Sequence, residues 1–358
     1  MSGGPRRARW PLAVLVTLIV LTAAAAGSVW WLLQAPASES APREVEIMPG
    51  WGAQRIAAEL RELDLVRSAR AFAYYLRFTG TDTAIGEGLY DLDPAFTAAE
   101  TAEVLAAGGR PRIARVVIPE GFRAEAVVER LVASGFGEPG DYARLAAELP
   151  AEEYDWLEAA DQPEEADLHP YLNLEGFLFP ASYDLPVRSS PEQVLDTFLE
   201  RFALELSDEQ VLERLEELGL SVREWVILAS LVQAEAGSDA EMPIIAGVFL
   251  NRLDQGMPLQ SDPTVAYGLG KALPELDVAA GDLRAEHPWN TYVHPELPPG
   301  PIGNPGRAAL QAVLQPERLN VDGQQWLYFL HGTAEGEPVF RPNISYDDHL
   351  RDIELYLR

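Results

Sequence analysis

The chain has 358 residues, 47% hydrophobic and 23% charged, enough to fold as one large domain or two modest ones. Its formal charge of −29 repels nucleic acid and anionic headgroups, so no nucleic-acid partner is expected. There is no cysteine, and the five histidines (His169, His287, His294, His331, His349) are scattered; disulfides and thiolate chemistry are excluded, and neither a metal site nor a cofactor is expected.

The N-terminal segment Trp10 to Leu33 carries no charge and is long enough to cross a bilayer as a helix. Arg6, Arg7 and Arg9 precede it, so residues 1–9 read as a cytoplasmic tail and the bulk of the chain as facing out from the cytoplasmic (inner) membrane. A cleavable signal peptide ending in "AAAAG" is the rival, although "VWWLL" follows the small residues. Both readings export the globular part. Residues 34–43, "QAPASESAPR", read as a short extended linker.

Two segments match at an offset of 71 residues, "VEIMPGWGAQRIAAEL" from Val45 and "VVIPEGFRAEAVVERL" from Val116. Each reads as an alternating strand, a Gly turn and an amphipathic helix, with Trp51 and Phe122 at equivalent places. Between them Thr97 and Glu100 form a capping box opening a helix that Gly108 stops. The economical arrangement pairs the two copies in one small α+β module over 44–135. Such units resemble LysM-like carbohydrate-binding modules, and a spacer with its own small core reads the pattern equally well. From Gly137 an acidic stretch broken by Pro and Gly looks like a solvated insertion. Glu192 to Leu218 then reads as a long charged helical region.

"REWVILASLVQAEAG" is a buried helix that delivers Gln233 and Glu235 before Gly237 breaks it. The next helix runs to Gly256, with Ser238 or Asp239 as its cap and Pro243 in its first turn, giving a hairpin whose connection lies beside Glu235. "MPLQSDPTVAYG" follows as a polar loop or strand. Asn304 before Pro305 caps another helix, "QWLYFLHG" and "EPVF" read as strands, and Ser345 with Asp348 caps the last helix. Glu235 has Val232, Leu231 and Leu228 at i−3, i−4 and i−7, so desolvation disfavours its ionisation; the negative end of the helix dipole acts the same way. Gln233 points to the opposite side. The bland alternative for Glu235 is a buried structural pair with an arginine such as Arg252.

Four ordered motifs, "LEGFLFPASYDL", "LASLVQAEAG", "VFLNRLDQGMPLQSDPTVAYGLG" and "NTYVHPELPPGPIGNPG", together closely resemble the membrane-anchored endolytic murein transglycosylases (MltG or YceG-like). The resemblance covers nearly the whole chain. It implies an α+β protein: a transmembrane helix over 10–33, the LysM-like module, and a mixed α/β catalytic domain over 136–358 with a helix-borne glutamate. The catalytic acid falls on Glu235, the second of a pair whose first member is here Gln233. The implied reaction is lytic transglycosylation between N-acetylmuramic acid and N-acetylglucosamine, giving 1,6-anhydro ends and terminating nascent strands beside peptidoglycan polymerases. Gln260, Ser261, Asp262, Thr264, Asn290 and Tyr292 are the substrate-contact candidates, each also readable as a loop brace. Glu175 joins that set, read with Tyr183 equally as a brace of the cleft. Asp262 is read either as an Asx turn or as the second carboxylate of a hydrolase. A glycan-binding scaffold and a hydrolytic muramidase are the competing functions.

Overall fold

The structure, a computed structural model, describes residues 10–148, 154, 156–157 and 170–357. Arg6, Arg7 and Arg9, on which the expected membrane orientation rests, and most of the acidic insertion lie outside the described residues. Helices and strands are mixed throughout, and the chain divides into two compact units, Met1–Ile113 and Ala114–Arg358, each with its own core.

The first unit opens with α1 (Trp10–Leu32), whose stretch Ala13–Leu32 is long and apolar enough to cross a membrane. The hydroxyls of Thr17, Thr22 and Ser28 turn back onto carbonyls four residues earlier, which satisfies them within the helix. Next come β1 (Arg43–Ile47), α2 (Ala53–Glu62), α3 (Ala69–Thr79), β2 (Gly88–Leu92) and α4 (Ala98–Ala106). β1 and β2 pair antiparallel with Val45 opposite Tyr90, so Val45, Ile47, Tyr90 and Leu92 point inward while Glu44, Glu46 and Asp91 stay wet. Ile56 and Leu60 of α2 and Phe72 and Leu76 of α3 close this core. The Thr97–Glu100 capping box opens α4 as read from the sequence.

The segment 34–43 is not a free tether. Leu33 packs on the core and its carbonyl accepts from Ala98 N–H at 2.9 Å; Ala37 N–H donates to Pro94 O at 3.0 Å. Arg67 donates to the carbonyls of Gln34 and Ala35, and Asp93 accepts from Ser40 Oγ and Ala41 N–H. Composition reads such a stretch as a linker because the groups that pin it, Arg67, Asp93 and the Pro94 carbonyl, lie 32 to 57 residues away in sequence.

The second unit contains β3 (Ile113–Val117), α5 (Ala124–Ala133), α6 (Pro139–Ala147), β4 (Ser182–Pro186), α7 (Pro191–Ala203), α8 (Glu209–Leu218), α9 (Val222–Glu235), α10 (Met242–Asp254), α11 (Asp262–Gly268), α12 (Arg307–Leu314), β5 (Tyr328–Ala334), β6 (Glu337–Asn343) and α13 (Tyr346–Tyr356). α9 is its axis. Trp225 through Val232 are all buried, and Trp225 Nε1–H donates to Leu310 O at 2.8 Å. α10 approaches the 317–318 backbone so closely that a Cβ on Gly247 would lie 2.2 Å from Glu317 O, which is why glycine stands there.

Several expectations are corrected. The two repeat copies do not pair: β1 takes β2, while β3 takes β4, tied by Arg115 and Asp184 69 residues apart. The division between units therefore falls at Ile113/Ala114, and the second copy sits in the larger unit rather than in a module ending at 135. The 192–218 region is helical as read, divided into α7 and α8 by a 3-10 turn at Leu204–Leu206. "SDPTVAYG" is helical, since Pro263 suits a first turn. The N-cap of α10 is Glu241 rather than Ser238 or Asp239, and α12 is capped at Gly306 rather than at Asn304.

Candidate active site

A capping box between Ser221 and Glu224 starts α9, and the apolar run then carries it through the core, buried from Trp225 to Val232. It ends at Glu235 because Ala236 turns extended, with φ −73° and ψ 133°. Gly237 N–H is taken by Glu241 Oε2 at 2.8 Å, closing a tight turn into α10. A rigid buried rod thus delivers one carboxyl to the edge of the core.

Glu235 opens into a groove of about 670 Å³, lined also by Arg252, Gln260, Asp262, Tyr292, Tyr328, His331 and His349. Its Oε1 accepts from Ser261 Oγ at 2.6 Å. Ser261 is itself fixed: its N–H donates to Thr291 Oγ1 at 2.9 Å, and its carbonyl accepts from Thr264 Oγ1 at 2.7 Å. Gln260 takes φ 55°, a left-handed conformation that turns the chain from α10 into this loop, and its N–H donates to Thr291 O at 3.0 Å. Tyr292 OH donates to Asp262 Oδ1 at 2.6 Å. Asn290 Oδ1 accepts from Tyr292 N–H while its Nδ2 donates to the carbonyls of Leu283 and Ala285.

The expected residues thus separate. Gln260, Asp262 and Tyr292 line the groove with Glu235, and Ser261 is buried but touches the acid. Thr264 and Asn290 are wholly buried and spend their polar atoms on the loop. Glu175 lies elsewhere: its carboxylate accepts from Ala124 N–H at the start of α5, from Tyr267 OH and from Asn304 Nδ2. It braces the core and does not face the groove, and burial pushes its pKa up to about 8. Tyr183 is buried too, its OH donating to Phe179 O at 2.6 Å. Asp262 begins α11 and receives a tyrosine hydroxyl rather than closing an Asx turn.

Electrostatics favour a proton on Glu235. Its pKa is raised to about 7: desolvation is the largest cause, the Ser261 hydroxyl opposes it, Asp262 across the groove adds to it, and His331 and Arg252 work the other way. Arg252 makes no salt bridge with it among the described residues. Its guanidinium donates instead to the carbonyls of Pro258, Leu259 and Leu327 and to Gln260 Oε1, beneath the Tyr328 ring. The structural pair weighed above is therefore absent. Gln233 faces away, its Oε1 accepting from Gly306 N–H at 2.9 Å and so capping α12.

Sequence reasoning missed the wall built by β5 and α13. Tyr328, His331, Tyr346 and His349 all line the groove, with Tyr328 stacked on His349. His331 Nε2 lies 3.0 Å from Glu241 Oε2, the same oxygen that holds Gly237. Burial works against the charge on Glu241, but these bonds outweigh it and hold the carboxyl below its usual range. The alternation in "WLYFLHG" gives a strand; which groove it faces is a long-range fact. Among the described residues no cluster of His, Asp and Glu is placed to hold a metal ion.

The same chain matches the model of the YceG-like family over residues 45–354, from β1 to α13. It belongs to that family. Among YceG-like relatives, the endolytic murein transglycosylase of Bacillus subtilis is 28% identical over 325 residues, covering 87% of this chain and 84% of its own. That of Streptococcus pneumoniae is 27% identical, and the chain spans 57% of its length. A crystal structure of a yceG-like protein from Listeria monocytogenes superposes with a TM-score of 0.53 at 27% identity, over 87% of this chain and 99% of that one.

Proposed function

We propose that this YceG-like protein is a lytic transglycosylase of peptidoglycan, with Glu235 as its acid and then its base. The observation that carries the reading is the Glu235 carboxyl at the edge of the core, facing a groove, free of any salt bridge among the described residues and with its pKa raised to about 7 chiefly by desolvation. Relatives named endolytic murein transglycosylase support the substrate. Glu235 gives its proton to the glycosidic oxygen between N-acetylmuramic acid and N-acetylglucosamine. The C1–O bond breaks and an oxocarbenium-like centre develops. The carboxylate, steadied by Ser261 Oγ, then takes the proton of the muramoyl C6 hydroxyl as O6 bonds to C1. A 1,6-anhydro end forms and no water enters.

Gln260, Asp262 and Tyr292 line the groove beside Glu235, which supports a role for them in meeting sugar hydroxyls and N-acetyl groups. The apolar α1 supports a single-pass anchor in the cytoplasmic membrane with the rest of the chain outside, where nascent strands leave the polymerases. In the first unit, Trp51 with the Arg55 guanidinium 4.8 Å over its ring supports a LysM-like glycan contact. Glu235→Gln should keep the fold and lose at least about a hundredfold in rate; an unchanged rate contradicts the proposal.

A hydrolytic muramidase remains the second reading, because Asp262 shares the groove with Glu235. If Asp262 activated water, Asp262→Asn would cost as much as Glu235→Gln; as a contact residue it should cost about tenfold.

A further inference from the structure

The first unit holds an unpaired face that the glycan reading does not use. On α3, Arg70, Tyr74, Arg77 and Phe78 form one stripe at helical spacing, and all four are exposed. Phe78 is 92% and Tyr74 64% accessible, although they are large and apolar. The helix has no acidic residue, in a chain of net charge −29.

The start of α3 sits beside the C-terminal end of α1. Arg67, two residues before the helix, places its guanidinium 4.6 Å over the ring of Trp31 and holds the carbonyls of Gln34 and Ala35. Leu33, Ala37, Ser40 and Ala41 are pinned as well, so the unit is fixed to the end of the apolar helix and not hung from it. If α1 spans a bilayer, Trp30 and Trp31 lie at its surface, and a unit clamped there has a side against the headgroups. Arginine and tyrosine suit that depth: the charge reaches phosphate while the apolar body and Phe78 enter the acyl boundary.

We propose that the Arg70–Tyr74–Arg77–Phe78 face of α3 rests on the lipid surface of the membrane that α1 crosses, holding the first unit flat against it. The proposal depends on the anchoring reading above. Because the chain lacks cysteine, one introduced cysteine is a unique label site. The full chain is placed in nanodiscs of phosphatidylcholine with phosphatidylglycerol and carries a nitroxide at Phe78→Cys. Collisions with oxygen, which favours lipid, are compared with those of a water-soluble nickel chelate. Leu21→Cys within α1 and the exposed Glu103→Cys on α4 give the lipid and water references.

A lipid-like reading at 78, moved toward water by Arg70→Glu with Arg77→Glu, supports the proposal. A reading at 78 equal to that at 103 overturns it, whatever 21 shows. Shielding at 78 that appears only on adding membrane proteins also overturns it, in favour of a protein partner. Water at 21 overturns the anchoring reading instead, so the two failures are told apart.

Discussion

Ser261 Oγ donates to Glu235 Oε1 at 2.6 Å across 26 residues of sequence, and Thr264 and Thr291 hold the serine in place. The bond favours the carboxylate. Ser261→Ala should therefore let Glu235 keep its proton to higher pH while stabilising the base form less. We expect about a tenfold lower kcat with the basic limb of the pH profile moved upward. A lower kcat with an unmoved limb would reduce Ser261 to a spacer.

Burial of Glu235 has a stability signature. Its folded pKa of about 7 lies above the ordinary 4.5, so the folded state binds the extra proton between those values. No penalty exists below the lower value; it grows as pH rises and is complete above the upper one. Glu235→Gln should accordingly match wild type in thermal unfolding near pH 4 and be more stable above pH 7, by about 1–2 kcal/mol after discounting for solvent in the groove. Equal melting temperatures across that range would show the carboxyl to be well solvated.

The Glu241–His331 contact at 3.0 Å joins the turn after the acid to β5. A protonated imidazole there favours the Glu235 carboxylate. His331→Gln, which still reaches Glu241, should shift the basic limb up by about half a unit, and His331→Arg should shift it down. Limbs that do not move in opposite directions would leave His331 a purely structural contact.

Gln233 provides the contrast. Its amide oxygen caps α12 through Gly306 N–H and faces away from the groove. Gln233→Ala should cost about 1 kcal/mol in denaturant unfolding. The pH profile should stay where it is; a displaced profile would mean that position 233 reaches the reaction after all.

Local order was legible wherever a pattern and its cause lie close in sequence. Val232, Leu231 and Leu228 sit beneath Glu235 as their spacing demands, and the Ser345–Asp348 cap opens α13. Partners distant in sequence were not legible. The strand at Val116 reads as the twin of that at Val45, yet its partner is β4, because alternation fixes a face and not a neighbour. Thr264 and Asn290 have the composition of sugar ligands, but carbonyls and a neighbouring hydroxyl satisfy them inside the loop. Glu175 has the chemistry of a site acid, and its three donors make it a brace.

The most direct measurement is the mass of fragments released from purified glycan strands by the wild-type chain and by Glu235→Gln. An acid that becomes the base for an internal hydroxyl predicts fragments one water lighter than hydrolysis products, and next to none from the variant. Fragments carrying an added water, or the same yield without the Glu235 carboxyl, would contradict it.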